Sequence, residues 1–222
     1  MSAAGGLCPP AAALLLLLAT MTTSAADEVP GTGMNFGGVG LLEMRNARFR
    51  PDATLETGVS LRHQRRFWYL NFQALPWLEA TFRLGERLNG TTGEGMTSDR
   101  SFDVKIRLVE EADWWPAVVV GLQDFVGTGI YGGEYVAASK RFGPLDVTLG
   151  MGWGRLGTQQ DVRNPLTLIS SRFENRERDV GQGGTTQFGS LFHGEHAALF
   201  GGLEYSIPEF WTPLGSVEGL RA

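Results

Sequence analysis

PWLEATFRL, residues 76–84, and SFDVKIRLV, residues 101–109, are the two stretches on which the fold turns. In the first, Leu78, Ala80, Phe82 and Leu84 alternate with Glu79, Thr81 and Arg83. In the second, Phe102, Val104, Ile106 and Leu108 alternate with Asp103, Lys105 and Arg107. A period of two sends successive side chains to opposite faces of a β-strand, so each stretch reads as a strand with one apolar and one charged face. Paired as an antiparallel hairpin closing over residues 85–100, they are expected to set Arg83 opposite Asp103 and Glu79 opposite Arg107. Phe82 then meets Val104, and Ala80 meets Ile106, on the other face. Such cross-strand pairs contribute about 0.2–1 kcal/mol each, and a slip of one residue would turn every side chain to the wrong face.

The same alternation predicts strands near 54–61, 67–74, 117–124, 132–142, 145–153 and 196–206, which makes eight with the first two. In LDVTLGMGW, residues 145–153, Leu145, Val147, Leu149, Met151 and Trp153 oppose Asp146, Thr148, Gly150 and Gly152. In strand 132–142, Glu134 and Lys140 share a face with Val136 and Ala138, and a β-bulge is expected to reconcile them. Glycine supports an all-β, antiparallel reading: 31 of 222 residues is about twice the ordinary usage of about 7%. Each Gly costs a helix interior up to about 1 kcal/mol relative to Ala.

Connection lengths alternate. Tight turns at Leu75-Pro76 and Gly143-Pro144 and the short Glu110 to Pro116 segment lie at one end. Residues 62–66, 85–100, 125–131 and the long stretch 154–195 lie at the other. Outer-membrane barrels have short periplasmic turns and longer external loops, so the pattern predicts such a barrel wall with its N-terminus in the periplasm. Trp68, Trp77, Trp114, Trp115 and Trp153 fall at strand ends or turns, where interfacial girdles stand. A soluble barrel or sandwich would show the same alternation with its faces reversed. Small residues on the polar face, Gly150 and Gly152 with Gly121 and Gly202, would leave room there for water or a neighbouring wall.

Residues 1–26 read as a secretory signal peptide: an apolar run from Ala11 to Met21, then Thr23, Ser24, Ala25 and Ala26 before Asp27 and Glu28. The run is about half the length of a membrane-spanning helix. No Lys or Arg precedes it, so the true start is open. Cys8 stands before the run and is expected to leave with the leader, so no disulfide framework is available. The remainder, 27–222, is expected to be one β-barrel domain with a long external loop at 154–195. A net charge of -5 argues against a nucleic-acid partner.

Several segments resemble the YjbH family of exopolysaccharide-associated outer-membrane proteins, related to the GfcD capsule proteins. They are NFGGVGLLEMRNARFRPDATLETGVS at 35–60, PWLEATFRL, the run from Ser101 to Gly154, and HAALFGGLEYSIPE near the end. The resemblance covers nearly all of the chain beyond the leader and lies in the order of motifs. It implies a large β-barrel, longer than this chain, with a role in secreting or assembling polysaccharide. This chain would match an N-terminal portion, since it runs out as GSVEGLRA without a terminal aromatic strand. An incomplete wall of about eight strands is therefore expected, with a closed eight-strand barrel as the alternative.

Two sets of residues are candidates for function. Glu79, Arg83, Asp103, Lys105 and Arg107 would form a lumen-facing charged ladder. Arg172, Arg176 and Arg178 would meet sugar hydroxyls or acidic polymer from the external loop, beside Trp153. The stretch 27–50, Gly-rich and then basic at Arg45, Arg48 and Arg50, either plugs the lumen or begins the wall. The expected role is non-enzymatic and needs no cofactor. Its partners would be outer-membrane lipid, an exopolysaccharide and other envelope secretion proteins, in the outer membrane of a Gram-negative bacterium. The alternatives are an outer-membrane hydrolase acting on lipid or glycan, built on Ser190, His193, Glu195 and His196, or a soluble periplasmic sugar-binding domain. His193, Glu195 and His196 lack the helical spacing of a zinc-protease motif, so a solvated loop is the expected reading there. GQGG at 181–184 has no strand-to-helix context for a phosphate cradle and reads as a flexible turn.

Overall fold

The structure, a computed structural model, describes residues 31–88, 98–127, 129, 131–176, 185–186 and 188–207. The expected leader at 1–26, Arg178, the GQGG turn and the terminal GSVEGLRA lie outside the described residues. The strands are β1 (Gly40–Leu41), β2 (Met44–Arg45), β3 (Leu55–Arg62), β4 (Arg65–Leu75), β5 (Leu78–Arg87), β6 (Ser98–Val109), β7 (Ala117–Gln123), β8 (Val126–Gly127), β9 (Gly133–Phe142), β10 (Leu145–Gly152), β11 (Val162–Arg163), β12 (Thr185–Thr186) and β13 (His196–Tyr205). Short 3-10 turns are the only helical elements among the described residues. No helix there is long and apolar enough to cross a membrane.

The eight long strands, each within a few residues of its expected place, form one antiparallel sheet with the two-residue β11 as a ninth. The order is β11-β13-β10-β9-β7-β6-β5-β4-β3. The terminal strands β11 and β3 are not hydrogen-bonded to each other.

Burial settles which face is inside, and it is the polar one. In β5, Glu79, Thr81 and Arg83 are at most 4% exposed while Phe82 is 44% exposed. In β10, Asp146 and Thr148 are buried while Leu149 is 67% exposed. Leu55, Val59 and Leu61 of β3, Trp68, Leu70 and Phe72 of β4, and Leu199 and Leu203 of β13 continue the exposed apolar surface. The greasy face is thus continuous and outward, the reverse of a water-soluble barrel, whose apolar residues point inward.

The β5–β6 register differs from expectation by two residues. Glu79 pairs with Lys105, Thr81 with Asp103, and Phe82 with Phe102. A two-residue shift keeps every side chain on its face, so alternation cannot detect it. Arg83 still reaches Asp103, diagonally, at 2.9 Å. The expected Glu79–Arg107 pair is absent; Arg107 instead sits 3.7 Å from Glu110 and over the Phe49 ring.

Strand β9 pairs with both neighbours without a register shift, so the expected bulge is not there. Its two charges on the apolar side, Glu134 buried and Lys140 half-buried, stand near the strand ends and are neutralised in place. Glu134 takes Arg176 at 2.6 Å, and Lys140 takes Glu111 at 3.2 Å. The space at inward glycines is filled rather than vacant. Cross-strand partners Gly121 and Tyr135 share one slot, as do Gly150 and Phe200, so that a Cβ at either glycine would overlap the ring. Aromatic rings lying over small residues let a sheet bend toward its inner side.

Candidate functional site

The inner face is occupied by the chain's own residues 31–50. Gly37 and Gly38, at φ +81 and +82, form a left-handed turn flat against β4 and β5, where a Cβ would collide with Tyr69, Thr81 and the Glu79 carboxylate. The ribbon β1–β2 follows, pairing Gly40 with Arg45 and Leu41 with Met44. From it the segment contacts nearly every wall strand. Ser60 of β3 donates to the Asn35 carbonyl, and the Ala47 N–H donates to Ser139 Oγ of β9 at 2.8 Å. Arg48 holds Asp146 of β10 through Nε at 2.6 Å and Nη2 at 2.9 Å, and it also pairs with Glu111. Leu41 packs where a Gly202 side chain of β13 would stand. Of the two readings open for this stretch, the structure has the one in which it lies within the polar face.

The predicted charged ladder is what holds the segment. Lys105 Nζ lies 3.1 Å from Glu79 and donates to the carbonyls of Val39, at 3.0 Å, and Arg48, at 2.8 Å. The Val39 N–H in turn donates to both oxygens of Glu79 at 3.3 Å. Arg83 pairs with Asp103 and donates to the Phe36 carbonyl at 3.0 Å. Phe49, fully buried, lies under Lys105 and Arg107, with the cations 4.7 and 4.5 Å from the ring centre. A buried charge needs partners, and here the wall's charges and the segment's backbone satisfy one another.

Above the segment, toward the end bearing the long connections, opens a cavity of about 700 Å³. Its floor is Phe36 and Arg45, and its rim is Arg62, Arg65, Arg87, Tyr131 and Arg155. The first three rim arginines come from adjacent strands: Arg62 is the cross-strand partner of Arg65, and Arg65 of Arg87. Sequence reasoning missed this set. The signal was available in RHQRR at 62–66, a basic run spanning a two-residue turn, but Arg87 joins it only through the register.

Beside the cavity, Asp124 bridges two elements. Its N–H donates to Asp103 at 2.8 Å and its carboxylate accepts from the Tyr131 N–H at 3.0 Å. Burial, with the charges of Asp99 and Asp103 nearby, pushes its carboxyl up to about 7. Glu111, in the short turn at the opposite end, is held below the ordinary carboxylate range. Burial opposes ionisation there but is outweighed by the Arg141 N–H and by Arg48.

The predicted loop arginines part company. Arg172 is exposed, whereas Arg176 is committed to Glu134 and is not available to a glycan. Nor does Trp153 face outward: it is 4% exposed, donates from Nε1 to Asn164 Oδ1 at 2.9 Å, and meets Phe192 edge to face. Asn164, fully buried, also donates from Nδ2 to the carbonyls of Phe192 and Gly194, so much of the 154–195 connection is a built cap. His193 Nδ1 engages the Leu191 carbonyl at 2.7 Å and its ring packs on Phe173. His196 sits in β13 opposite Arg163.

A relative from Escherichia coli (strain K12), named "Uncharacterized lipoprotein YjbH", is 41% identical over 187 residues. The match covers 81% of this chain but 26% of the relative, so the chain spans about a quarter of that protein's length. No solved structure matches. The model of the YjbH family, described as "Exopolysaccharide biosynthesis protein YbjH", matches residues 32–215, and the chain belongs to that family.

Proposed function

We propose that the chain forms a stretch of outer-membrane β-barrel wall with an internal plug, and that it serves without catalysis in the passage or assembly of an exopolysaccharide. The observation that carries the membrane part is the inverted sheet: charged ladder inside, leucines, valines and phenylalanines outside. A continuous apolar outer surface is costly in water and suits acyl chains. The alternation of connection lengths supports an orientation with the cavity end facing outward. The exopolysaccharide role is supported by family membership, and the relative's name as a lipoprotein agrees with a place in the cell envelope.

The test is genetic and biochemical together. Deleting the gene should abolish or sharply reduce surface polymer, and the wild-type gene should restore it from the detergent-extracted outer-membrane fraction. Complementation by a Ser190→Ala, His193→Ala, His196→Ala triple variant should be as good as wild type. Loss of polymer in the triple variant with the fold intact would favour a hydrolase, and extraction without detergent would favour a soluble sugar-binding domain.

A further inference from the structure

We propose that the cavity at the long-connection end is a binding site for an acidic sugar segment, one carrying carboxylate or phosphoryl groups, gripped by the Arg62–Arg65–Arg87 row. Like charges directly opposite one another destabilise a sheet, and here three guanidinium groups occupy consecutive cross-strand positions. A fold with no use for an anion at that point would be expected to break up such a row. Elsewhere in the molecule it does so: Arg48, Arg66, Arg83, Arg141 and Arg176 each have a carboxylate partner.

The balance within the cavity points the same way. Arg45 is buried, contacts Gln123 and lies over the Phe36 and Tyr135 rings. Arg62 meets Glu43 at 2.5 Å, the one ion pair on the rim among the described residues. Arg65 lies over the Tyr131 ring at 5.4 Å, and among the described residues Arg65, Arg87 and Arg155 have no carboxylate partner. Among the described residues, then, the lining of this space of about 700 Å³ carries five arginines and no carboxylate of its own. That volume is well beyond a lone ion and suits a ligand of a few sugar rings. Guanidinium forks bind carboxylate and phosphoryl oxygens in pairs, and Phe36 and Tyr131, with arginines over their rings, add apolar wall beside them.

Anion binding here stands on the geometry alone; that the anion is part of a glycan rests on the proposed role in polysaccharide handling. The experiment titrates the full chain, folded in detergent micelles, with four probes: a short oligogalacturonate, a phosphorylated maltooligosaccharide, a neutral maltooligosaccharide and inorganic phosphate. At least one acidic oligosaccharide should bind, weaken as salt is raised, and outcompete both the neutral sugar and inorganic phosphate. Whichever acidic probe binds tighter identifies the substituent. Arg65→Gln and Arg87→Gln should each weaken binding about tenfold while melting no lower than the parent, since each relieves the repulsion. Arg172→Gln, on the outer loop, should change nothing.

Equal binding of inorganic phosphate would reduce the site to an anion hole and overturn the glycan assignment. Absence of acidic-sugar binding, or full binding in Arg65→Gln and Arg87→Gln, would overturn the site. Neither result bears on whether the sheet lies in a membrane, which lipid labelling of its outer face decides separately.

Discussion

Replacing Lys105 with Met should loosen the internal segment before it loosens the wall. Lys105 is 3% exposed, its ammonium neutralises Glu79, and it supplies donors to the Val39 and Arg48 carbonyls. Removing one member of a buried ion pair costs about 3–5 kcal/mol, because the other charge is left without compensation. The stranded carbonyls cost about 1–3 kcal/mol each, though the two effects share one group and do not simply add. We expect a total of about 4 kcal/mol. Neutralising both partners, with Glu79→Gln and Lys105→Met together, should cost about 1–3 kcal/mol, chiefly from the carbonyls. The assay is urea unfolding of the chain in micelles, read with hydrogen exchange. Amides of Val39 and Ala47 should lose protection in the single variant while those of β4 and β5 keep it. A loss under about 1 kcal/mol with Val39 still protected would refute the idea that the ladder clasps the segment.

Two further outcomes follow from the same contacts. Gly121→Ala puts a methyl into the Tyr135 ring and should cost about 1–3 kcal/mol; the added change Tyr135→Ala should abolish that increment in a double-mutant cycle, and additive effects would contradict the shared slot. Asp124 has its folded carboxyl raised to about 7, against about 3.9 in an unfolded chain, so folding takes up a proton between those values. Stability should therefore fall as pH rises from about 4 through about 7, and Asp124→Asn should flatten that limb in melts across pH. An unchanged pH profile in that variant would show that the limb belongs to other groups.

Much of the wall was legible in the residues. Period-two alternation in PWLEATFRL and in Leu145–Gly152 assigned the side chains of those strands to their observed faces, Trp153 at the strand's end being the exception. Which face is inside was not contained in alternation alone, because a soluble and a membrane sheet differ only in what surrounds them. Register failed by two because charge complementarity was available in both alignments, with Arg83 long enough to reach Asp103 diagonally. The path of the internal segment was beyond periodic reading: it depends on a positive-φ turn at Gly37-Gly38 and on partners 40 or more residues away, such as Glu79, Ser139 and Asp146. The charges of Glu134 and Lys140 on the apolar side suggested a bulge because their neutralising partners, Arg176 and Glu111, come from other connections. The arginine row was hidden for a related reason, since nothing local links Arg87 to a turn at His63–Gln64.

The most direct trial is photo-crosslinking in reconstituted liposomes, with a photoreactive side chain placed in turn at Phe82, Leu149, Thr81 and Thr148. A sheet whose greasy face meets acyl chains gives lipid adducts from Phe82 and Leu149 and none from Thr81 and Thr148, which instead capture residues of the plug. Lipid adducts from Thr81 and Thr148, with Phe82 and Leu149 reacting only with water or protein, would mean that the sheet is not embedded in this way.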